Sequence, residues 1–194
     1  MTSAYEWNPP PRDIAIACPD CAAVAHFEFA TSAIVDDKRR RAELAAHPAC
    51  DLFDDVTWGN NRRTVVAHHA VLDRSNTARF DAATMHSSSL RVRVNNVEIP
   101  LSQFGAFRCS KCAATRRHVL DWPKDAFFSC DVRGEVLWAW NHEQAVALRD
   151  YVKSTHRDRH AHGAHAFLLH VPATFLDAKR RETIVKKLDR LLAG

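Results

Sequence analysis

Two cysteine pairs stand far apart in the chain: Cys18-Pro19-Asp20-Cys21 and Cys109-Ser110-Lys111-Cys112. Each has the Cys-x-x-Cys spacing that lets two sulfurs approach one ion while backbone N–H groups of the turn point at them. One pair supplies half of a tetrahedral coordination sphere, and a second pair from elsewhere completes it. Soft thiolates in a tetrahedral set favour Zn²⁺, with iron the minor alternative. A redox Cys-x-x-Cys usually follows a strand and opens a helix, whereas residues 22–29 read as a strand. Disulfides suit a secreted protein, for which nothing else in the sequence argues. Shared metal is therefore the expectation: one structural Zn²⁺ on Cys18, Cys21, Cys109 and Cys112. Cys50 and Cys130 stand alone and read as small buried hydrophobes.

The flanks of the two pairs are alike. Ile14 to Ala17 leads into the first pair, and Ala23 to Phe29 follows it. Phe104 to Arg108 leads into the second, and Arg116 to Trp122 follows it. Strand, knuckle, strand resembles the zinc-ribbon class, over residues 14–29 and 104–122 only. Zinc ribbons often carry Gly directly after the second Cys; here Ala22 and Ala113 stand there. The long gap between knuckles implies a folded insertion at about 30–103.

A second set of chemistry-bearing residues is the run from His156 to His165. It holds His156, His160, His162 and His165, with Arg157, Asp158 and Arg159 among them. His160-Ala161-His162-Gly163-Ala164-His165 resembles the metal motif of metallo-β-lactamase-type hydrolases, which has Asp where Ala164 stands. The chain also lacks the duplicated β-rich length of that fold. The stretch reads mainly as a polar loop, with a second metal site or a metal-dependent hydrolase as lesser readings. His68 and His69 are adjacent, so in a strand they point to opposite faces and do not readily share a metal.

The elements that must position these residues follow from pattern. The whole reads as α+β, with zinc-anchored antiparallel hairpins and helices in the C-terminal half. Residues 1–12 form a Pro-rich arm that Tyr5 and Trp7 pin down, 13–172 one zinc-anchored domain, and 173–194 a basic amphipathic helix. A short helix begins at Asp36-Asp37 and stops before Pro48. Residues 53–72 suggest a hairpin about Gly59-Asn60-Asn61, with a return strand from Thr64 to Leu72. Residues 74–89 read as a polar loop. Leu90 to Val94 alternates, and Asn95-Asn96 turns the chain into Val97, Ile99 and Leu101. Phe127 to Val132 and Glu135 to Trp140 flank Arg133-Gly134, another hairpin signal. Asn141 with Gln144 caps a helix lined by Ala145, Leu148 and Val152. Residues 167–171 read as a buried strand. Thr174 and Asp177 have capping-box spacing before the last helix.

The chain has 194 residues and a formal net charge of +4. That mild bias permits a nucleic acid or an acidic protein partner without demanding either. Cations for such a surface are Arg91, Arg93, Lys111, Arg116, Arg117, Lys179, Arg180, Lys186 and Lys187. No run of 18 or more apolar residues exists, so no membrane span is expected. The N-terminus has no apolar signal-peptide core, and metal-type thiol spacing suggests a reducing cytoplasm. With five glycines, a phosphate-cradling loop is not expected. A non-catalytic, regulatory or accessory zinc-ribbon protein binding nucleic acid is the leading expectation. A zinc-stabilised protein-interaction adaptor is the alternative.

Overall fold

The structure is a computed structural model. It describes residues 11, 14–54, 63–73, 91–94, 97–158, 161 and 164–193. The expected arm at 1–10, the turn at 59–61, the loop at 74–89 and the Asn95-Asn96 turn lie outside the described residues.

Eleven strands and four helices are described. The first stretch carries β1 (Ile14–Ala17), β2 (Val24–Phe29), β3 (Thr31–Ile34), α1 (Lys38–Ala45) and β4 (Cys50–Asp54). The middle carries β5 (Thr64–His68), β6 (Arg91–Val94), β7 (Val97–Pro100), β8 (Phe104–Cys109) and β9 (Thr115–Val119). Then come β10 (Phe128–Val132), β11 (Glu135–Ala139), α2 (His142–Lys153), α3 (His165–Leu168) and α4 (Ala178–Leu192). The chain is therefore α+β, with its longest helices toward the C-terminus. One sheet has the order β1-β2-β8-β9 and carries both cysteine pairs. The described residues divide into two compact units: those up to 25 with those from 122 on, and 26–121.

In the first unit, β10 and β11 pair with Phe128 opposite Ala139 and Val132 opposite Glu135. Arg133 and Gly134 turn the hairpin with φ of 59° and 82°, the left-handed pair that a two-residue turn requires. Phe128, Cys130, Val132 and Leu137 are buried against Leu148, Tyr151, Ile184 and Leu188 of α2 and α4. Burial pushes the Cys130 thiol up to about 11, as the buried-hydrophobe reading requires. Trp138 is 1% exposed, and Trp122 and Trp140 stack beside it at 4.0 Å. At the start of α2, Asn141 Oδ1 accepts from the Gln144 N–H at 3.0 Å.

Two expectations in this unit are corrected. Residues 165–168 are helical, not a strand, and Leu168 donates its N–H to the Ala164 carbonyl at 3.0 Å. Leu168 and Val171 are buried while Leu169 is 43% exposed. That is a three-residue period, which a five-residue apolar run is too short to reveal. Thr174 is not the cap of α4. It lies in a single 3-10 turn, and Asp177 takes the cap itself, accepting from the Lys179 N–H at 3.0 Å.

In the second unit, β5 is the central strand of β3-β5-β4. Val65, Val66 and Ala67 are all fully buried, because both faces are covered. Val66 meets Leu44 of α1 on one face, while Val65 and Ala67 meet Val92, Leu101 and Phe104 on the other. The hairpin expected at 53–72 is present as β4 and β5, paired from Cys50–His68 to Asp54–Thr64. Its return strand stops at His68, since Ala70–Leu72 winds into a 3-10 turn. β6 and β7 pair with Val92 opposite Ile99. Val92 points inward, while Arg91 and Arg93 are exposed.

Candidate metal centre

Each cysteine pair is delivered by the end of a strand. β1 leads to Cys18, whose N–H donates to the Ala23 carbonyl at 2.8 Å while its carbonyl accepts from Ala22 at 2.8 Å. β8 ends on Cys109, whose N–H donates to the Ala114 carbonyl at 2.8 Å. The residue after the second Cys of each pair is left-handed: φ is 57° at Ala22 and 59° at Ala113. That conformation turns the chain back under the sulfurs. Glycine adopts it freely, and alanine does so at a cost of about 1 kcal/mol.

The four sulfurs converge. Cys18, Cys21, Cys109 and Cys112 have donor atoms all within 4.8 Å of one another, and none is in a disulfide. Sulfurs sharing a tetrahedral Zn²⁺ lie about 3.8 Å apart, from ordinary Zn–S lengths. The donor chemistry and spacing therefore fit the ion. The two turns make a zinc-ribbon-like cluster. A long insertion separates them. Among the described residues it is the one set of three or more His, Cys, Asp or Glu donors that meets this spacing.

Cys18 and Cys109 are 2% and 1% exposed, whereas Cys21 is half-buried and Cys112 exposed. The first cysteine of each pair belongs to the core and the second to the surface. Comparison with protein-family models, with curated proteins and with solved structures returns no match. The cluster and its neighbours therefore carry the functional argument by themselves.

The cations singled out in the sequence differ in their surroundings. Lys111 lies exposed in the second turn. Arg116 is exposed on β9, with its guanidinium 5.9 Å from the Phe107 ring centre. Arg91 and Lys179 are also exposed. Arg93, Arg117, Arg180, Lys186 and Lys187 donate to acceptors within the chain. Arg93 pairs with Glu98 at 2.6 Å, across the β6–β7 hairpin. Arg117 donates to the Asp51 carboxylate and, at 2.8 Å, to the Pro48 carbonyl. Arg180 donates to the Thr174 carbonyl at 3.1 Å, Lys186 pairs with Glu182 at 2.6 Å, and Lys187 donates to the Asp131 carbonyl.

In the histidine-rich stretch, His156 is exposed and lies 3.3 Å from the Thr155 hydroxyl. His160 and His162 lie outside the described residues, as does the side chain of His165.

Sequence reasoning missed a polar network behind β9. His69 has a fully buried side chain, and its Nε2 lies 2.9 Å from Asp51 Oδ2, the same oxygen that Arg117 contacts. Burial pulls the Asp51 carboxyl upward. Hydrogen bonds from His69 and Arg117, with the charge of Arg117, outweigh it and hold the group below its ordinary range. His68 turns the other way, its Nε2 2.9 Å from Asp73 Oδ2. The adjacent histidines thus use separate carboxylates, as strand alternation requires. Their acids lie 18 and five residues away, so no local pattern announces the first pair.

Among the described residues, no helix is long and apolar enough to cross a membrane.

Proposed function

We propose that this chain is a non-catalytic zinc-ribbon-type protein that binds nucleic acid through phosphate contacts, as a regulatory or accessory factor. The observation that carries the reading is the four-sulfur cluster with donors within 4.8 Å. Four thiolates fill a tetrahedral Zn²⁺, leaving no position for a substrate or activated water, so the ion is structural. It would stiffen the turn that presents Lys111 and the start of β9 that presents Arg116. Four thiolates on Zn²⁺ carry a formal −2, which these cations partly offset while their outer side remains open to phosphate. Arg91 adds a further exposed cation. Arg93 and Lys186 join by exchanging a surface carboxylate for a phosphate, because exposed ion pairs contribute only about 0–1 kcal/mol. Arg117 leaves the set, since its contacts to Asp51 and Pro48 are structural. Unbridged thiols accord with a reducing compartment such as the cytoplasm.

A protein-interaction adaptor is the second reading. It is favoured by the internal acceptors of Arg93, Arg117, Arg180, Lys186 and Lys187. Filter binding of duplex and single-stranded DNA and RNA, over about 50–300 mM salt, separates the two. The nucleic-acid reading expects affinity falling with salt, on a log–log slope of about −2 or steeper. Absent or salt-insensitive binding overturns it. A protein co-purifying in stoichiometric amount then supports the adaptor.

A further inference from the structure

The two cysteine turns are alike in backbone and unlike in surroundings. Cys112 is exposed, and so are Ser110, Lys111 and Ala113 around it. Cys21 is half-buried, and Cys18 and Cys109 are 2% and 1% exposed. The residue before the outer cysteine also differs in sign: Lys111 precedes Cys112, whereas Asp20 precedes Cys21. One cysteine of the four is therefore exposed and follows a cation, and the other three sulfurs lie within 4.8 Å of its own. Burial raises the thiols of Cys50 and Cys130. These two lone cysteines keep their protons and do not compete for an oxidant.

We infer that Cys112 is a peroxide-reactive modification site through which the four-cysteine cluster is taken apart. This rests on the zinc-ribbon reading above, which makes all four sulfurs thiolates. The chemistry takes two steps. The Cys112 thiolate attacks one oxygen of hydrogen peroxide; the S–O bond forms, the O–O bond breaks, and the second oxygen leaves as hydroxide. The Lys111 ammonium lowers the cost of that departing charge. The sulfenic acid that results is neutral and no longer serves as a thiolate ligand. The Cys109 thiolate, three residues back in the same turn, then attacks the Cys112 sulfur. The S–S bond forms, the S–O bond breaks, and a second hydroxide leaves. Two thiolates have given up two electrons, and one peroxide has become two hydroxides. Cys18 and Cys21 then supply only half of a coordination sphere and no longer hold the ion. Peroxide thus unties the two turns, and a dithiol reductant with Zn²⁺ ties them again.

Zinc release from the full chain tests this. Wild-type protein is loaded with Zn²⁺ under reducing conditions, desalted, analysed for metal and treated with hydrogen peroxide. Freed zinc is followed with a chromogenic chelator, and samples taken at intervals are mapped by non-reducing peptide mass spectrometry. The expected result is a Cys109–Cys112 disulfide that appears in step with zinc release, with about one peroxide consumed per ion. Lys111→Glu, an exposed residue that ligates nothing, is expected to slow release about threefold. Zinc retained in excess peroxide overturns the inference and leaves the ribbon intact. Oxidation of Cys21 ahead of Cys112 also overturns it. An unchanged rate in Lys111→Glu overturns the part given to that cation. A starting protein that binds no zinc overturns the ribbon reading and this inference with it.

Discussion

Ala22 and Ala113 hold the same left-handed backbone, at φ 57° and 59°, each directly after the second cysteine of its pair. Two stretches about ninety residues apart thus solve one local problem in the same way. The turn needs positive φ, and an L side chain resists it. Ala22→Gly and Ala113→Gly are each expected to stabilise the metal-loaded protein by about 0.5–1 kcal/mol. The gain is partly offset by the larger backbone entropy of glycine in the unfolded chain. Urea denaturation with Zn²⁺ present measures it, and a loss of stability in both variants contradicts the account of the turn.

Removing the ion should loosen the sheet that carries the two turns. Without it, four thiols crowd within 4.8 Å of one another, and the two turns lose the ion that ties their sulfurs together. Binding free energy at a thiolate site is folding free energy. A strong chelator is expected to lower the melting temperature of wild type by roughly 10 °C or more. Cys112→Ser, at an exposed residue, should mimic most of this effect. A melting curve insensitive to both would show that the sulfurs meet without a structural ion.

Lys111 and Arg116 should separate from Arg117 in function. The first two are exposed beside the second cysteine pair; Arg117 donates to Asp51 and to the Pro48 carbonyl. Lys111→Ala/Arg116→Ala should flatten the salt slope for duplex DNA by about 1.8 and lower the urea midpoint less than Arg117→Ala does. Arg117→Ala should instead cost about 1–3 kcal/mol of stability, by stripping a partly buried carboxylate of its cation. Equal effects of the two variants on binding and on stability would dissolve the distinction.

What was legible beforehand was what is local. The cysteine spacing announced the cluster. The alternation of Arg91, Val92, Arg93 and Val94 announced a hairpin with its arginines outward. Asn141 announced the start of α2. The failures are of two kinds. Phe167 to Val171 is too short for its period to be read, so a helical turn passed for a strand. The acceptors of Arg117 lie 66 and 69 residues away; only the tertiary fold brings them in, and a cation that looked available is committed to packing.

Gly105 sits where β8 presses against β2. A Cβ there would lie 2.2 Å from the Glu28 carbonyl oxygen and 2.4 Å from the Phe27 ring. Both neighbours are held: the oxygen is backbone, and the Phe27 ring is fully buried. Gly105→Ala therefore forces the strands apart and should cost about 3 kcal/mol or more. The same Ala at Gly134 meets nothing within 4 Å and suffers only the left-handed backbone, for about 1–2 kcal/mol. Chemical denaturation of the two variants ranks them. A Gly105→Ala protein no less stable than Gly134→Ala would mean that the sheet accommodates the methyl group.

Asp51 should give the molecule an acid-sensitive joint. Its carboxylate receives His69 at 2.9 Å and also Arg117, and these contacts hold it below the ordinary carboxylate range in spite of burial. A carboxyl depressed in the folded state binds its proton more readily when unfolded. Its contribution to stability is thus fully present above its unfolded value, near about pH 4, and is lost as pH falls through the lower folded value. Asp51→Asn cannot titrate and leaves Arg117 facing a neutral amide. It should cost about 1–3 kcal/mol at pH 7. The gap to wild type should close as both are taken below about pH 4. Urea midpoints of the two proteins at pH 7, 5, 4 and 3 provide the comparison. A gap that stays constant down to pH 3 would mean that the Asp51 charge does not hold β4 to β9.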